Sequence, residues 1–363
     1  MVNITSVNLL GLATSLQYGM QLASVTNSST SSVGFISYSE TFVSDILGPN
    51  VSSQLIADKT WEAFHEGGVY SQATKSLYVS SNWAKNFSNP INVTILDLAT
   101  NAISSVRYPN LASPNGLVAY YPPGTPANSS ANQQILFCDE GDLTHPSQLT
   151  LLNPATDTTT VLINNFLGRN FSSLNDAKQH PYTHDVWFTD TYYGYWQFFR
   201  PVPTIPPQVY RYSPSTGVVQ VVADELVAPN GIEFSPDFKT VYVTDTGAME
   251  YTTNYTRPAT IYAYDLMKNK QLGNRRVFAY SDVGFPDGIH ADTKGNVYAS
   301  CGDGVHVWND DGVLLGKFVV SGGSNNFAFI PGGMIIFNGQ KAYKVTGLKA
   351  EGREVRRDFG MHL

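Results

Sequence analysis

The sequence predicts an all-β fold, a single six-bladed β-propeller of four-stranded antiparallel blades. The main observation is a unit that occurs six times: a polar residue, usually before Gly, opens a short apolar run, and a turn leads to a second run with an aromatic residue. The polar residues are spaced by 49, 60, 55, 57 and 39 residues, and a four-stranded blade needs roughly 40 to 50. The leading polar residues are Glu66, Asn115, Asn175, Asn230, Asp287 and Asn326.

The second observation is that apolar side chains alternate in the second run of four units. Such alternation predicts a half-buried strand, and the runs are too short for a helix. Turns such as SPDFK and DTKGN fit hairpins between the two runs. The alternating pairs are Leu77 and Val79, Val186 and Phe188, Val241 and Val243, and Val297 and Ala299.

The third observation is the composition, which is rich in hydrophobic residues and poor in charged residues. Hydrophobic residues make up 42% of the 363 residues and charged residues 14%, against about 25% charged in typical soluble domains. The net charge of −7 comes from scattered acids, and no Lys or Arg stripe is present, so we expect no nucleic-acid partner. No stretch reaches the ~20 apolar residues of a membrane span. Cys138 and Cys301 are either one bridge or two buried thiols.

The N-terminal part is predicted to differ from the rest of the chain. We interpret residues 1–40 as a lead-in, either a signal peptide or a ring-closing segment, and residues 41–363 as the propeller. Residues 38–64 have no clear period and are a candidate for the outer strand that closes the ring. The segment from Leu9 to Leu16 resembles the apolar part of a secretory signal, but no Lys or Arg precedes it. Secreted and cytoplasmic locations both stay open, although eight sequons would suit secretion, at Asn3, Asn27, Asn50, Asn86, Asn92, Asn128, Asn170 and Asn254.

The six leading polar residues are predicted to converge at one mouth of the central channel. Equivalent positions in all blades lie at the same radius and height, so the starts of the innermost strands meet. Two carboxylates and two amide oxygens at one point would bind a hard divalent cation. Without an ion, Glu66 and Asp287 would repel each other, at a cost on the order of several kcal/mol. The plainer alternative is that these acids and asparagines only form turns.

Four segments give the chain a specific family resemblance. FHEGGVY, LNDAK, APNGIEFSPDFKTVYVTDTG and FPDGIHADTKGNVYASCGDGVHVW are similar, in order and spacing, to signature segments of the SMP-30/gluconolactonase/luciferin-regenerating enzyme (LRE-like) family, over roughly residues 60–345. The resemblance implies one divalent ion, with Ca²⁺ favoured over Mg²⁺, Mn²⁺ and Zn²⁺. Carried over position by position, its ligands are Glu66, Asn175, Asn230 and Asp287.

The resemblance also implies an activity, the metal-assisted hydrolysis of a lactone or related ester. Asp287 would activate water as well as contact the ion, and the ion would polarise the carbonyl. The substrate is then a small molecule, and His65, Asn115 and Asn326 are predicted to contact it.

The segment TDTYYGYWQFFRPVP, from Thr189 onward, differs from what a small sugar-lactone pocket would need. Six aromatic residues within eight positions predict a loop over the channel mouth, with Tyr192 and Trp196 contacting a bulky or aromatic substrate. The alternative is that these rings pack between blades.

Two further groups of polar residues are interpreted as structural. His180 and His184 have the spacing of a helical zinc pair, but they lie at a hairpin turn and Pro181 opposes a helix, so we expect exposed turn residues. Asp139, Glu140 and Asp142 lack the alternation of an EF-hand calcium loop and are expected to form a loop at the end of a strand. These three acids belong to the segment CDEGD.

Two other functions stay open at this point. The aromatic segment would also suit a cyclase or pericyclase of secondary metabolism that uses the propeller as a shaped apolar cavity. A binding protein that keeps a structural ion is the second alternative, because propellers often serve as binding modules. Motifs of serine hydrolases, zincins, P-loops and dinucleotide folds are absent from the sequence.

Overall fold

The structure, a computed structural model, is a six-bladed β-propeller, which confirms the fold predicted from the repeat. It describes residues 2–26, 32–82, 91–127, 129–358 and 360. Six sheets surround a central channel, and neighbouring innermost strands contact one another in a closed ring. Each innermost strand begins within two residues of a leading polar residue. The sequons at Asn27, Asn86 and Asn128 lie outside the described residues.

In blades 1 to 5 the four strands nearest the axis follow one another along the chain from the axis outward, whereas blade 6 takes its outer strand from the N-terminal part. Blades 1 to 3 are formed by Glu66–Ser71, Ser76–Ser80, Val93–Asp97 and Ile103–Val106; by Pro114–Tyr120, Gln134–Asp139, Gln148–Asn153 and Thr158–Ile163; and by Leu174–Gln179, Val186–Asp190, Gln208–Ser213 and Val218–Ala223. Blades 4 to 6 are formed by Pro229–Phe234, Thr240–Asp245, Thr260–Leu266 and Leu272–Tyr280; by Ile289–Ala291, Val297–Cys301, Gly304–Trp308 and Leu314–Val319; and by Asn326–Ile330, Gly333–Asn338, Lys341–Thr346 and Ser52–Asp58.

The N-terminal part of the chain contributes strands to the last two blades. Ser52–Asp58 pairs antiparallel with the third strand of blade 6 and so closes the ring. Gly34–Ser37 pairs antiparallel with the outer strand of blade 5, and Ile4–Ser6 adds to it in parallel. Blade 5 therefore has six strands, whereas the other five blades have four.

Short helices lie outside the blades. They are the α-helices Leu9–Thr14, Leu16–Thr26 and Tyr193–Trp196, the π-helical turns Phe42–Leu47 and Glu354–Asp358, and the 3-10 turn Ser130–Asn132. Within the described part of the chain, no helix combines the length and apolar character that a membrane crossing needs.

The second strand of each blade is buried on both faces, so the prediction of half-buried strands was wrong. All five residues of Ser76–Ser80, Val186–Asp190 and Val297–Cys301 are buried. The physical reason is that both faces of a blade pack on neighbouring blades, which leaves no solvent face near the axis. Cys138 and Cys301 are both buried free thiols, in blades 2 and 5.

Candidate active site

A β-bulge at the start of four innermost strands sets the direction of the leading polar residues. In blade 1, Glu66 pairs with Ser80 and the next pair is Val69 with Tyr78, so the innermost strand holds one extra residue. Bulges of this kind re-aim side chains and are common beside functional sites. Corresponding shifts follow the first pairs of blades 2, 3 and 4.

Hydroxyl groups of one blade hold the backbone of the leading residue in the next blade. Each hydroxyl belongs to a second strand and donates to a carbonyl oxygen across the blade boundary. The three bonds run from Ser80 Oγ to Asn115 at 2.7 Å, from Thr189 Oγ1 to Asn230 at 2.6 Å, and from Thr244 Oγ1 to Asp287 at 2.9 Å. The positions of the leading residues are therefore fixed by contacts between blades.

The glycine that follows a leading residue is required by this close approach. A Cβ atom on Gly231 would lie 2.6 Å from the carbonyl oxygen of Asp287, and one on Gly116 would lie 2.3 Å from the carbonyl oxygen of Asn175. Both distances are too short for any side chain, so only glycine lets the neighbouring backbones meet. The close packing of the blades around the axis therefore explains the Asn-Gly and Asp-Gly pairs of the repeat.

The leading residues border a cavity of about 360 Å³ at one mouth of the channel. This volume is within the usual range for small-molecule sites. Its polar lining comprises His65, Glu66, Ser81, Asn82, Asn115, Glu140, Asn175, Gln197, Asn230, Asp287 and Asn325. Its apolar and aromatic lining comprises Ile91, Pro114, Tyr193, Phe198, Met249 and Phe285.

Most of the residues predicted from the sequence lie at this cavity. The lining includes the four residues proposed as metal ligands together with His65 and Asn115. Asn326 lies directly beside them, because its Nδ2 donates to Glu66 Oε2 at 3.2 Å. Tyr192 and Trp196 do not belong to the lining, which takes Tyr193 and Phe198 from the same segment instead.

Burial shifts the pKa values of the two carboxylates strongly upward. Burial raises the pKa of Asp287 to about 7, although the Asn230 amide donates a hydrogen bond to it and opposes the shift. Burial, and then repulsion from Asp287, raise the pKa of Glu66 well above its ordinary value. Both upward pKa shifts indicate that no positive charge nearby stabilises the ionised form of these two acids.

Three oxygen atoms around the cavity are buried and accept no hydrogen bond from the described residues. They are the Oδ1 atoms of Asn115, Asn175 and Asp287. A buried polar atom without a partner costs about 1–3 kcal/mol, so such atoms are rare unless a ligand meets them. Two carboxylates with neighbouring amide oxygens form the donor set that hard divalent cations prefer. The residues present therefore fit a Ca²⁺-type ion.

No positive side chain offsets the two acids among the residues that line the cavity. Among the residues that the structure describes, neither Lys nor Arg lines the cavity. His65 lies with its Nε2 3.9 Å from Glu66 Oε1, but burial lowers the pKa of His65 to about 4, so this imidazole is neutral near pH 7. His65 therefore does not offset the charge of Glu66 and Asp287 near neutral pH.

A second group with metal-ligating side chains lies further along the channel. Ligand atoms of Glu233, His290 and Glu354 all fall within 4.8 Å of one another. However, Lys178 Nζ lies 3.1 Å from Glu354 Oε2 and donates to His290 Nδ1 at 3.4 Å, and Arg353 pairs with Glu233. These cations already neutralise both acids, and His290 Nδ1 is engaged. We therefore consider this group a self-compensated ion network.

The aromatic segment forms one wall of the cavity mouth. Tyr193–Trp196 is a single helical turn, and buried Arg200 fixes the segment by donating to the carbonyl oxygens of Ser172 at 2.9 Å and His145 at 2.6 Å. The Tyr192 hydroxyl donates to the Ile205 carbonyl oxygen at 3.0 Å. Tyr192 thus belongs to the anchoring of the segment.

A loop of blade 4 completes this wall. Tyr251 lies with its ring centroid 5.9 Å from that of Phe198 and 6.5 Å from that of Trp196. Met249 from the same loop lines the cavity. Two loops from adjacent blades therefore present a mainly aromatic surface above the polar floor.

The structure also shows where the two groups of polar residues interpreted as structural lie. His180 and His184 lie at a turn, as predicted, but they are half-buried rather than exposed: His180 packs on Phe238 at 4.7 Å between centroids, and His184 Nδ1 lies 3.0 Å from the Tyr121 carbonyl oxygen. Glu140 and Asp142 lie in a loop at the end of a strand, as predicted, whereas Asp139 is the last residue of the strand itself. Glu140, for which we predicted only a structural role, lines the cavity.

The fold and the site together define a class of protein, a six-bladed propeller with a candidate cation-binding cavity at one end of its channel. Residues 64–333 match the family model described as SMP-30/Gluconolactonase/LRE-like region. The chain belongs to this family, which confirms the resemblance of its sequence segments.

Individual relatives agree with this assignment. Lactonohydrolase oryL of Aspergillus oryzae is 31% identical over 317 residues, covering 81% of this chain and 69% of that protein. Among solved structures, a gluconolactonase of Xanthomonas campestris matches with a TM-score of 0.69 and 24% identity, covering 89% of this chain and 96% of that one. Regucalcin of Agrobacterium tumefaciens, a calcium-binding protein, matches with a TM-score of 0.61 and 19% identity over 86% and 98%. The two structures support the fold alone.

Proposed function

We propose that this protein is a divalent-metal-dependent hydrolase that opens a lactone or a related ester. The observation that carries the proposal is the layer of buried oxygens at the cavity, with two uncompensated acids and three Oδ1 atoms that accept no hydrogen bond among the described residues. The name of the Aspergillus oryzae relative, a lactonohydrolase, supports the reaction class. Glu66, Asn175, Asn230 and Asp287 would hold the ion, with Ca²⁺ favoured.

Different residues of the chain would have different roles in the reaction. An ion held by Glu66, Asn175, Asn230 and Asp287 would supply Lewis-acid chemistry at the ester carbonyl. Asp287 takes a proton from the attacking water as the general base. The Asn230 amide orients that carboxylate by its hydrogen bond. His65 and Asn115 contact the substrate from the cavity wall.

We further propose a substrate with a bulky or aromatic part. The support is the apolar wall above the polar floor, where Tyr193, Phe198, Met249 and Phe285 line the cavity. Phe198 is 76% exposed, so covering it with substrate would remove apolar surface from water. The ester group would then face the floor and the bulky part would face these rings.

The test is hydrolysis of a lactone panel that runs from small sugar lactones to large aromatic lactones. Wild type and Asp287→Ala are each assayed with EDTA and with added Ca²⁺. We expect wild-type activity that EDTA removes and Ca²⁺ restores, a decrease in kcat/KM of about 100-fold or more in Asp287→Ala, and preference for the aromatic lactones. A folded, Ca²⁺-loaded wild type that hydrolyses no member of the panel would contradict the proposal and favour a cyclase or a binding protein.

A further inference from the structure

The six-fold repeat offers an internal control for deciding which polar residues are special to this cavity. The residue that follows the second strand occupies the same place in every blade. In blade order these residues are Ser81, Glu140, Thr191, Thr246, Gly302 and Gly339. Five are small and uncharged, and only blade 2 places an acid there. The architecture itself therefore does not require a carboxylate at this position.

The neighbouring aspartate, in contrast, is explained by the architecture. Asp139, at the end of the second strand of blade 2, accepts the backbone N–H of Ser113 at 2.8 Å. The equivalent residues do the same in blades 3 and 4, because Asp190 and Asp245 accept backbone N–H groups at 2.7 Å and 2.9 Å. These aspartates tie the second strand to the start of the innermost strand. Glu140 has no such counterpart.

Glu140 is held at the cavity wall by two neighbouring side chains. It is 3% exposed and lines the cavity. The Ser173 hydroxyl donates to Glu140 Oε1 at 2.7 Å, and Ser173 Oγ itself accepts the N–H of Gly194 at 3.1 Å. The Asn115 side chain also hydrogen-bonds to this carboxylate. Burial, the largest effect, raises the pKa of Glu140 to about 7, so both protonation states are accessible near neutral pH.

The topology places Glu140 across the channel from Asp287. Glu140 belongs to blade 2 and Asp287 precedes the innermost strand of blade 5, and blades three apart in a ring of six face each other. Both residues line the same cavity. A substrate lying between them would have one carboxyl group on each side of the bond that breaks.

We propose that Glu140 is a second catalytic residue, the acid that protonates the ring oxygen as it leaves; this inference rests on the proposed lactone hydrolysis. Asp287 removes a proton from water, the hydroxide oxygen bonds to the carbonyl carbon, and the carbon–oxygen bond of the ring breaks. The leaving oxygen takes the proton of Glu140, which gives the hydroxy acid. Asp287 is then protonated and Glu140 ionised, and exchange with water restores both.

The inference is tested with two lactones that differ in leaving group. δ-Valerolactone releases a basic alkoxide, whereas dihydrocoumarin releases a phenolate, whose conjugate acid has a pKa near that of tyrosine, about 10. Glu140→Gln keeps the size and an acceptor for Ser173 or Asn115 but cannot donate this proton. We expect its kcat/KM to fall by about 100-fold or more for δ-valerolactone and by less than about tenfold for dihydrocoumarin.

Two further variants make the result specific. Asp287→Asn should lower kcat/KM for both lactones by similar factors, because water activation is common to them. Glu40→Gln, at an exposed glutamate outside the cavity lining, should change neither. The ratio of the two rates within one preparation does not depend on the fraction of folded protein.

Each remaining outcome overturns the assignment. An equal loss for both lactones in Glu140→Gln would mean that Glu140 only positions Asn115 or the wall, and no loss would mean that it has no part in the reaction. A wild type that hydrolyses Ca²⁺-dependently but shows either result leaves the proposed function standing without Glu140. A wild type inactive on both lactones would overturn both proposals.

Discussion

The innermost strands carry two polar layers, and these layers treat charge in opposite ways. The layer at the cavity contains Glu66, Asn175, Asn230 and Asp287. Three residues further along the same strands and the blade 5 segment lie Lys178, Glu233 and His290, joined there by Arg353 and Glu354 from the C-terminal segment. At roughly 3.3 Å per residue, the layers are about 10 Å apart. We call them the cavity layer and the closed layer.

The difference lies in how the acids are compensated. In the closed layer two glutamates meet Lys178 and Arg353, and the Lys178 ammonium and other groups lower the pKa of Glu354 despite its burial. In the cavity layer burial raises the pKa of both acids, and no Lys or Arg lines the cavity among the described residues. The chain supplies the counter-charge in the closed layer, and we propose that a metal ion supplies it in the cavity layer. Charge balance, rather than the count of His, Asp and Glu, identifies the candidate metal site.

The largest expected effect on stability comes from removing a counter-charge in the closed layer. Lys178→Met leaves Glu354 buried without its ammonium partner, and breaking a buried pair in this way costs about 3–5 kcal/mol. We expect that decrease in the free energy of unfolding, measured by denaturant titration, with Ca²⁺ affinity unchanged. The control is Lys239→Met, which removes an exposed pair with Asp237 and should change stability by less than about 1 kcal/mol. Equal effects of the two variants would refute the distinction.

One substitution, Glu to Gln, should have opposite signs in the two layers. In metal-free protein, Glu66→Gln removes repulsion from Asp287 and should stabilise the fold by about 1–3 kcal/mol. Glu233→Gln removes the partner of Arg353 and should destabilise it. Unfolding is measured for both variants with EDTA and with saturating Ca²⁺. Ca²⁺ should stabilise wild type more than Glu66→Gln, and a destabilised metal-free Glu66→Gln would contradict the account.

A smaller effect is the pH dependence of stability in the metal-free protein. Because the folded-state pKa of Asp287 is raised to about 7, the folded protein holds a proton that the unfolded chain releases above about pH 4. The contribution of this proton to the free energy of unfolding is fully present below about pH 4. It is lost as the pH rises through 7, with a slope of at most about 1.4 kcal/mol per pH unit. Stability is measured from pH 5 to pH 8 in EDTA for wild type and Asp287→Asn. The difference between them should decline across this range, and a constant difference would be contrary to expectation.

The repeat made the ring and the cavity layer predictable from the sequence. Equivalent blade positions bring the leading residues together, so Glu66 and Asp287 could be paired although 221 residues separate them. Glycines such as Gly231 fill positions where the backbones of neighbouring blades meet, which is why the motif persists. The geometry of a periodic sequence can therefore be predicted without knowledge of individual contacts.

What the sequence did not predict depends on contacts outside the repeat. The closed layer joins Lys178 to Glu354, which comes from a C-terminal segment without a counterpart in other blades. Within the aromatic segment, the helical turn decides which rings reach the cavity, so Tyr193 lines it while Tyr192 does not. Glu140 could have been found by aligning the six residues that follow the second strands, among which it is the only acid.

The most direct test of the central claim, that the uncompensated layer is the metal site, is anomalous diffraction from crystals soaked in Mn²⁺. Mn²⁺ shares the preference of Ca²⁺ for oxygen ligands and gives a locatable signal. The account predicts one strong peak in contact with Glu66, Asn175, Asn230 and Asp287, which is absent from Glu66→Gln crystals. A peak between Glu233, His290 and Glu354, or none in the cavity, would contradict it.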